Sequence, residues 1–179
     1  MENAEERVRI AKQKSMIRTV GHLLRYHPAV ADMKKMIDDG TLGDLFYVYC
    51  QRVNLGKVRK DENALWSFAP HDISVVLYLL GAEPIDVAAR GSDFLQKGVE
   101  DVVFVDRKFS GGKIAPVHVW WLDPHKLRMD TVVGATKRVV FEDMYTSTQI
   151  DIYETGIKRG GEVVVYCSGL PVSIGGLRS

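Results

Sequence analysis

The residues best placed to do chemistry stand in one short run. His71 and Asp72 follow Trp66, Phe68 and Pro70, so an imidazole that exchanges protons near neutral pH lies beside an apolar rim. Ile73, Val76, Leu77 and Leu80 form one stripe, with Gly81 beyond them, which predicts a helix from about His71 to Leu80. In the first turn of that helix the backbone N–H groups and the macrodipole favour an anion and lower the proton affinity of an imidazole. A competing reading stands beside each residue: His71 as a structural histidine satisfied by its own hydrogen bonds, and Asp72 as an ordinary helix-start acid.

A second polar group precedes this run. Arg52, Asn54, Lys57, Arg59, Lys60, Asp61 and Asn63 mix cations, amides and a carboxylate between a strand end and the helix. Such a loop could hold a polyhydroxylated or phosphorylated ligand, with Arg making bidentate contacts and Asn bonding hydroxyls. An ordinary solvated loop accounts for it equally well. Arg25, Tyr26 and His27 form another polar knot between elements, also open to both readings.

Other chemistries lack their residues. Histidines 22, 27, 71, 118 and 125 show no two-Cys or two-His pattern at ligand spacing, so no metal is expected. G-x-G-x-x-G, the Lys-containing phosphate loop and the G-x-S-x-G elbow are all missing from the chain. Lys plus Arg is 24 against 23 Asp plus Glu, and the signs intersperse, so there is no basic stripe for nucleic acid. Cys50 and Cys167 each sit in an apolar alternating run and read as buried free thiols, which suits a reducing cytoplasmic compartment. No apolar run approaches the ~18 residues of a membrane span, and Met1 to Glu6 is unlike the basic start of a signal peptide. A soluble, cytoplasmic protein is expected.

The elements that position these residues follow from periodicity. At 179 residues, with 46% hydrophobic residues, the chain can bury a sizeable core without disulfides or a structural metal. Residues 2–15 read as a helix with a thin apolar side, 17–21 as a short strand, and Ala29, Met33, Met36 and Ile37 as a helix stopped by Gly40. From Leu45 to Cys50 apolar residues occupy both parities, as in a strand covered on both faces. Further strands are expected near 85–90, 101–110, 113–122, 127–134, 137–142, 148–154 and 162–168. Turns at Gly111-Gly112, Asp123-Pro124-His125 and Gly134-Ala135, and a last connection through Gly156 and Gly160-Gly161, separate them. Sequential antiparallel pairing is the economical topology. The fold class is α+β: an open, mostly antiparallel sheet with helices packed on one face.

Four segments in order, V20-G-H-L-L-R-Y-H-P28, R52-V-N-L-G-K-V-R-K-D-E-N-A-L-W66, A69-P-H-D-I-S74 and W121-L-D-P-H-K-L-R128, resemble the Gfo/Idh/MocA oxidoreductases. The resemblance is strongest to members acting on nucleotide sugars, such as UDP-N-acetylglucosaminuronate 3-dehydrogenases. It implies that residues 1–22 are a remnant of the last helix and strand of a Rossmann domain, 23–42 a connecting helix, 43–170 the sheet domain and 171–179 a flexible tail. The glycine-rich turn and the Glu-Lys-Pro lysine of such enzymes would then lie upstream of Met1. The resemblance implies no cofactor for the isolated chain, and NAD or NADP if a Rossmann domain is supplied covalently or by another polypeptide.

By the same resemblance His71 is the catalytic residue, beside the reacting carbon. Ser67 stands where many members carry an Asp, and its hydroxyl cannot replace that base. Arg25 and Tyr26 match a segment near nicotinamide and sugar; Arg52, Asn54, Arg59, Asn63 and Asp72 match the substrate side. Lys126 and Arg128 match a segment near the sheet's ligand face. The expected function is a substrate-binding and oligomerisation domain of a sugar or nucleotide-sugar dehydrogenase, inactive alone; the alternative is a non-catalytic sugar-binding or assembly module. Val103, Val105, Phe109, Val117, Val119 and Trp121 share one strand parity and Phe104, Trp120 and Leu122 the other. Helices cover one face only, so a homo-oligomer through the second face is expected.

Overall fold

Alternation of apolar residues builds most of the molecule. The computed structural model describes residues 2–55, 59–144, 149–157 and 165–175, with side chains for 4–55, 59–144 and 150–154. Helix α1 spans Glu2–Gln13, a short 3-10 turn Leu23–Tyr26, α2 Pro28–Asp38 and α3 Ala64–Leu80. The strands are β1 (Leu45–Val53), β2 (Asp86–Ser92), β3 (Val102–Lys108), β4 (Val117–Trp120), β5 (Leu127–Gly134), β6 (Lys137–Glu142), β7 (Gln149–Ile157) and β8 (Val165–Gly175). They form one sheet in the order β2-β3-β4-β1-β5-β6-β7-β8. This is an α+β fold with a mostly antiparallel sheet and helices on one face.

The pairing is not sequential throughout. β1 inserts between β4 and β5, running parallel to β4 and antiparallel to β5, so the Asp123-Pro124-His125 turn joins strands that are not neighbours. The hairpins at Gly111-Gly112 (β3 and β4) and Gly134-Ala135 (β5 and β6) form as the sequence indicates. Gly134 allows the chain to pass very close to the loop before β1: a Cβ there would lie 2.2 Å from the Leu42 carbonyl oxygen. Only a glycine fits that approach.

Two expected segments differ. Residues 17–21 form no strand, with Ile17 94% exposed, because no described strand lies beside them. Residues 171–175 lie in β8 instead of in a tail. Pro171 is tolerated because β8 is an edge strand and its register with β7 shifts there, from Ile152↔Val172 to Glu154↔Ser168. Gly160-Gly161 and residues 176–179 fall outside the described residues, as do the side chain of Cys167 and residues 56–58.

The core lies between the sheet and its helices. Val48 on β1, Val117 and Val119 on β4, Val132 on β5 and Val139 on β6 point to one side, where Ala69, Val75, Val76 and Leu79 of α3 meet them, all buried. Each valine or leucine among them contributes about 1.5–3 kcal/mol by leaving water. The parity read from sequence holds: Val103, Val105, Phe109, Val117, Val119 and Trp121 are all buried, whereas Phe104 is 40% exposed on the uncovered side.

Candidate functional site

Helix α3 begins seven residues before the expected start. The Asn63 side chain caps it, accepting a hydrogen bond from the Trp66 N–H at 3.1 Å, and Pro70 is accommodated inside the helix. Having no N–H, Pro70 leaves the Trp66 carbonyl without its intrahelical partner. His71 therefore stands mid-helix, and the macrodipole argument for its position does not apply. The buried stripe is also rotated from the expected one: Ala69, Asp72, Val75, Val76 and Leu79 face the sheet, with Ile73, Leu77 and Leu80 at its margins.

Asp72 occupies the middle of this apolar stripe because its partner comes up from the sheet. Arg52 on β1 shares the inward parity of Val48 and Cys50, and its guanidinium clasps Asp72 in a bidentate pair: Nε to both carboxylate oxygens at 3.0 Å and Nη2 to Oδ1 at 2.6 Å. Both are buried. Burial acts to lower the Arg52 pKa, but the bonds and charge of Asp72 together with the charges of Asp130 and Asp143 hold it above its ordinary value. The pair joins α3 rigidly to the central strand.

Beneath it lies a second buried carboxyl. Asp130 on β5 sits opposite Cys50 on β1, and the Cys50 thiol hydrogen-bonds it. Burial first, then repulsion from Asp72, raises Asp130 to about 7; burial pushes the Cys50 thiol well up. Arg107 on β3 is equally enclosed, donating through Nε to the Ala115 carbonyl at 3.2 Å. Sequence reasoning passed over Asp130 and Arg107. Their signal was parity: Asp130 alternates with Val132, and Arg107 with Val103 and Val105, on the inward side.

His71 lies at the edge of this polar core, half-buried. Burial, then the charge of Arg52 and the neighbouring His22, hold it below the usual imidazole pKa; Asp72 acts the other way and Arg128 adds to the lowering. It is consequently neutral at neutral pH. The His22 ring lies nearly perpendicular to it, with 5.8 Å between centroids. In the sequence His22 is marked only by its place in the V20-G-H-L-L-R-Y-H-P28 segment, with no role of its own.

The other expected site residues scatter. Arg128 comes within the electrostatic reach of His71 and pairs with Asp143 at 3.3 Å. Arg25 lies over the Tyr78 ring of α3 at 5.1 Å, and Tyr26 is 79% exposed. Asn63 is spent on capping and on Glu100, to which it donates at 2.7 Å. Arg59 pairs with Glu62 on the surface, the Asn54 N–H bonds the Trp120 carbonyl, and Lys126 is exposed. A cleft of about 700 Å³ lies at the far end of α3, between Leu79, Leu80, Asp44 and Gly111, away from His71. Among the described residues no cluster of three His, Cys, Asp or Glu could hold a metal, and no helix is long and apolar enough to cross a membrane.

The described residues hold no glycine-rich strand-to-helix turn, and their one parallel strand pair, β1 and β4, is connected through α3, β2 and β3 rather than by a single helix.

The fold is thus an open sheet roofed by α3, with a buried ion pair beside a neutral histidine. Residues 30–140, more than half of the chain, match the GFO/IDH/MocA C-terminal domain, and the chain belongs to that family. It is 24% identical over 157 residues to 2,7-anhydro-N-acetylneuraminate hydratase of Mediterraneibacter gnavus, covering 80% of this chain and 42% of that protein. It is 30% identical over 91 residues to UDP-N-acetylglucosamine 3-dehydrogenase of Acidithiobacillus ferrooxidans, covering 50% and 28%. That enzyme's solved structure superposes with a TM-score of 0.69 at 21% identity, over 92% of this chain and 51% of that one. An inositol dehydrogenase homologue from Azotobacter vinelandii, in complex with NADH and myo-inositol, superposes with a TM-score of 0.76 at 18% identity, over 94% and 47%. The chain thus spans less than half the length of the curated relatives it matches.

Proposed function

We propose that this chain is the substrate-binding and oligomerisation domain of a dehydrogenase acting on a sugar or nucleotide sugar. The observation that carries the reading is His71: half-buried, neutral, and fixed on a helix that the Arg52–Asp72 pair pins to the sheet. With Nδ1 enclosed, the Nε2 edge is left to accept a proton from a substrate hydroxyl. Relatives named for an anhydro-sialic acid, a UDP-sugar and inositol support a polyhydroxylated substrate. Arg128 and the exposed Lys126 supply positive charge for its phosphates, while Arg52 on β1 and Asp72 on α3 act beneath the substrate. Residues 1–22 are the remnant of a cofactor domain, and the oxidising half of the reaction, with NAD or NADP, belongs to a Rossmann unit joined covalently or supplied as another polypeptide.

The uncovered face of the sheet supports self-assembly. Tyr49, His118, Trp120 and Phe104 form a continuous aromatic row there, with ring centroids 4.8–6.5 Å apart. A second copy covering this row removes it from water.

Thermal-shift titration of the full chain with UDP-N-acetylglucosamine, UDP-N-acetylglucosaminuronate and myo-inositol, each with and without NAD or NADP, tests the reading. One of the sugars should raise the melting temperature saturably, and His71→Ala should weaken that response. No response to any of the three would overturn it. Ser67 favours a second reading, a sugar-binding module without catalysis, since it places a hydroxyl one helical turn before His71 where a carboxylate base would serve. With a Rossmann partner supplied, a gain of oxidation in Ser67→Asp over a silent parent supports this second reading.

A further inference from the structure

His22 stands at the N-terminal end of the 3-10 turn, yet its side chain makes no capping bond there. Its ring is turned to His71 instead, at an interplanar angle of 82°. The Nδ1 atoms of both rings are enclosed and have no hydrogen-bond partner. Buried polar nitrogens in this condition are uncommon, and two on touching rings ask for a common explanation. The approach is anchored on the side that follows it. Leu24 packs against the core, Arg25 lies over Tyr78 two turns further along α3, and His27 accepts the Ala29 N–H to start α2.

The charges around His71 narrow what the contact can be. Arg52 faces it from β1, Arg128 from β5, and Asp72 adjoins it on α3. The one carboxylate there is already clasped by Arg52, so no acid orients the imidazole, as one does in many proton-transferring sites. A neutral imidazole has one donor and one acceptor nitrogen. Two imidazoles can therefore satisfy both enclosed atoms with one N–H···N bond, and a bond of about 3 Å brings ring centroids to about 5 Å, close to the observed 5.8 Å.

We propose that His22 is a positioning residue for His71: His22 Nδ1 accepts the Nδ1–H of His71, which fixes the His71 ring and leaves its Nε2 as the acceptor facing substrate. The inference rests on the reading of His71 as the proton acceptor, but its test needs no substrate.

Long-range ¹H–¹⁵N correlation spectra of the ¹⁵N-labelled full chain at neutral pH report which nitrogen of His71 carries the proton. The wild type should show Nδ1–H, the tautomer free histidine disfavours. His22→Ala should return His71 to Nε2–H, and His22→Asn, whose amide oxygen can take the place of Nδ1, should restore Nδ1–H. His22→Phe keeps the ring packing without the acceptor and should behave as His22→Ala does, which covers the case in which the alanine variant does not fold. Finding Nε2–H in the wild type, or an unchanged tautomer in the folded phenylalanine variant, overturns the proposal. A tautomer that follows position 22 in a chain that binds none of the sugars keeps the positioning role and removes the dehydrogenase reading alone.

Discussion

The two faces of the sheet are made from the same strands and are chemically opposite. Under α3 the face is enclosed: Arg52 is paired with Asp72, Asp130 is held largely protonated beside Cys50, and Arg107 reaches a backbone carbonyl through Nε while both its Nη atoms lie buried without a partner. On the other side, one residue along each strand, Tyr49, His118, Trp120 and Phe104 lie side by side, with Phe104 40% exposed. Charge on the covered face is expensive and is retained where it holds the helix in place. On the proposed reading, apolar surface on the open face is kept for contact with a second copy. The period of two along a strand thus separates positioning a site from meeting a neighbour.

The most severe way to break this contrast is Asp72→Ala, which leaves the Arg52 guanidinium buried without its carboxylate. It should cost about 3–5 kcal/mol in urea unfolding, whereas the double change Arg52→Met with Asp72→Leu should recover most of that loss. A loss under 1 kcal/mol for the single variant would mean that the pair does not hold α3.

Asp130 sharpens the contrast through pH. Its folded pKa is raised to about 7, above that of an unfolded aspartate, so the native state holds a proton the unfolded chain releases. The associated stability is present in acid and is lost as pH rises from about 4 through 7. Asp130→Asn should abolish that decline, gaining at most about 4 kcal/mol relative to wild type at pH 8 and little at pH 4. Parallel pH profiles for the two proteins would refute the buried-acid assignment.

Removing the cap by Asn63→Ala should cost about 1 kcal/mol, since both the Trp66 N–H and Glu100 lose their partner. The smallest effect on folding is expected on the open face. Phe104→Ser should change unfolding by less than about 1 kcal/mol, while sedimentation velocity shows a lower assembly state at micromolar concentration. An unchanged sedimentation coefficient would remove the open face as an interface.

Much of this division was legible in the sequence. Most strand positions, though not 17–21, the two hairpins, Gly81 beyond the end of α3 and the parity of 103–122 all follow from local patterns that the structure keeps. What eluded local patterns was long-range or paired. The place of β1 between β4 and β5 depends on partners far along the chain. Proline normally opens a helix or breaks it, so Pro70 hid a start that Asn63 supplies seven residues earlier. Arg52 and Asp72 each looked like a ligand contact because a lone charge gives no sign of its mate twenty residues away. The inward parity of Arg52 with Val48 and Cys50 was the available warning. His22 carried none, since its meaning comes from the ring it touches.

The central position of β1 also sets the order in which the molecule can be made. Its neighbours are encoded late: Cys50 pairs with Val117 and with Asp130, some seventy to eighty residues further on. At synthesis rates of about 5–20 residues per second, β1 waits several seconds for them to emerge. Throughout that interval a strand apolar on one side and carrying Arg52 on the same side stands unpaired. Asp72 emerges long before either neighbouring strand, so the ion pair that holds the finished site can also be its first long-range contact, shielding the strand that the rest of the sheet will flank.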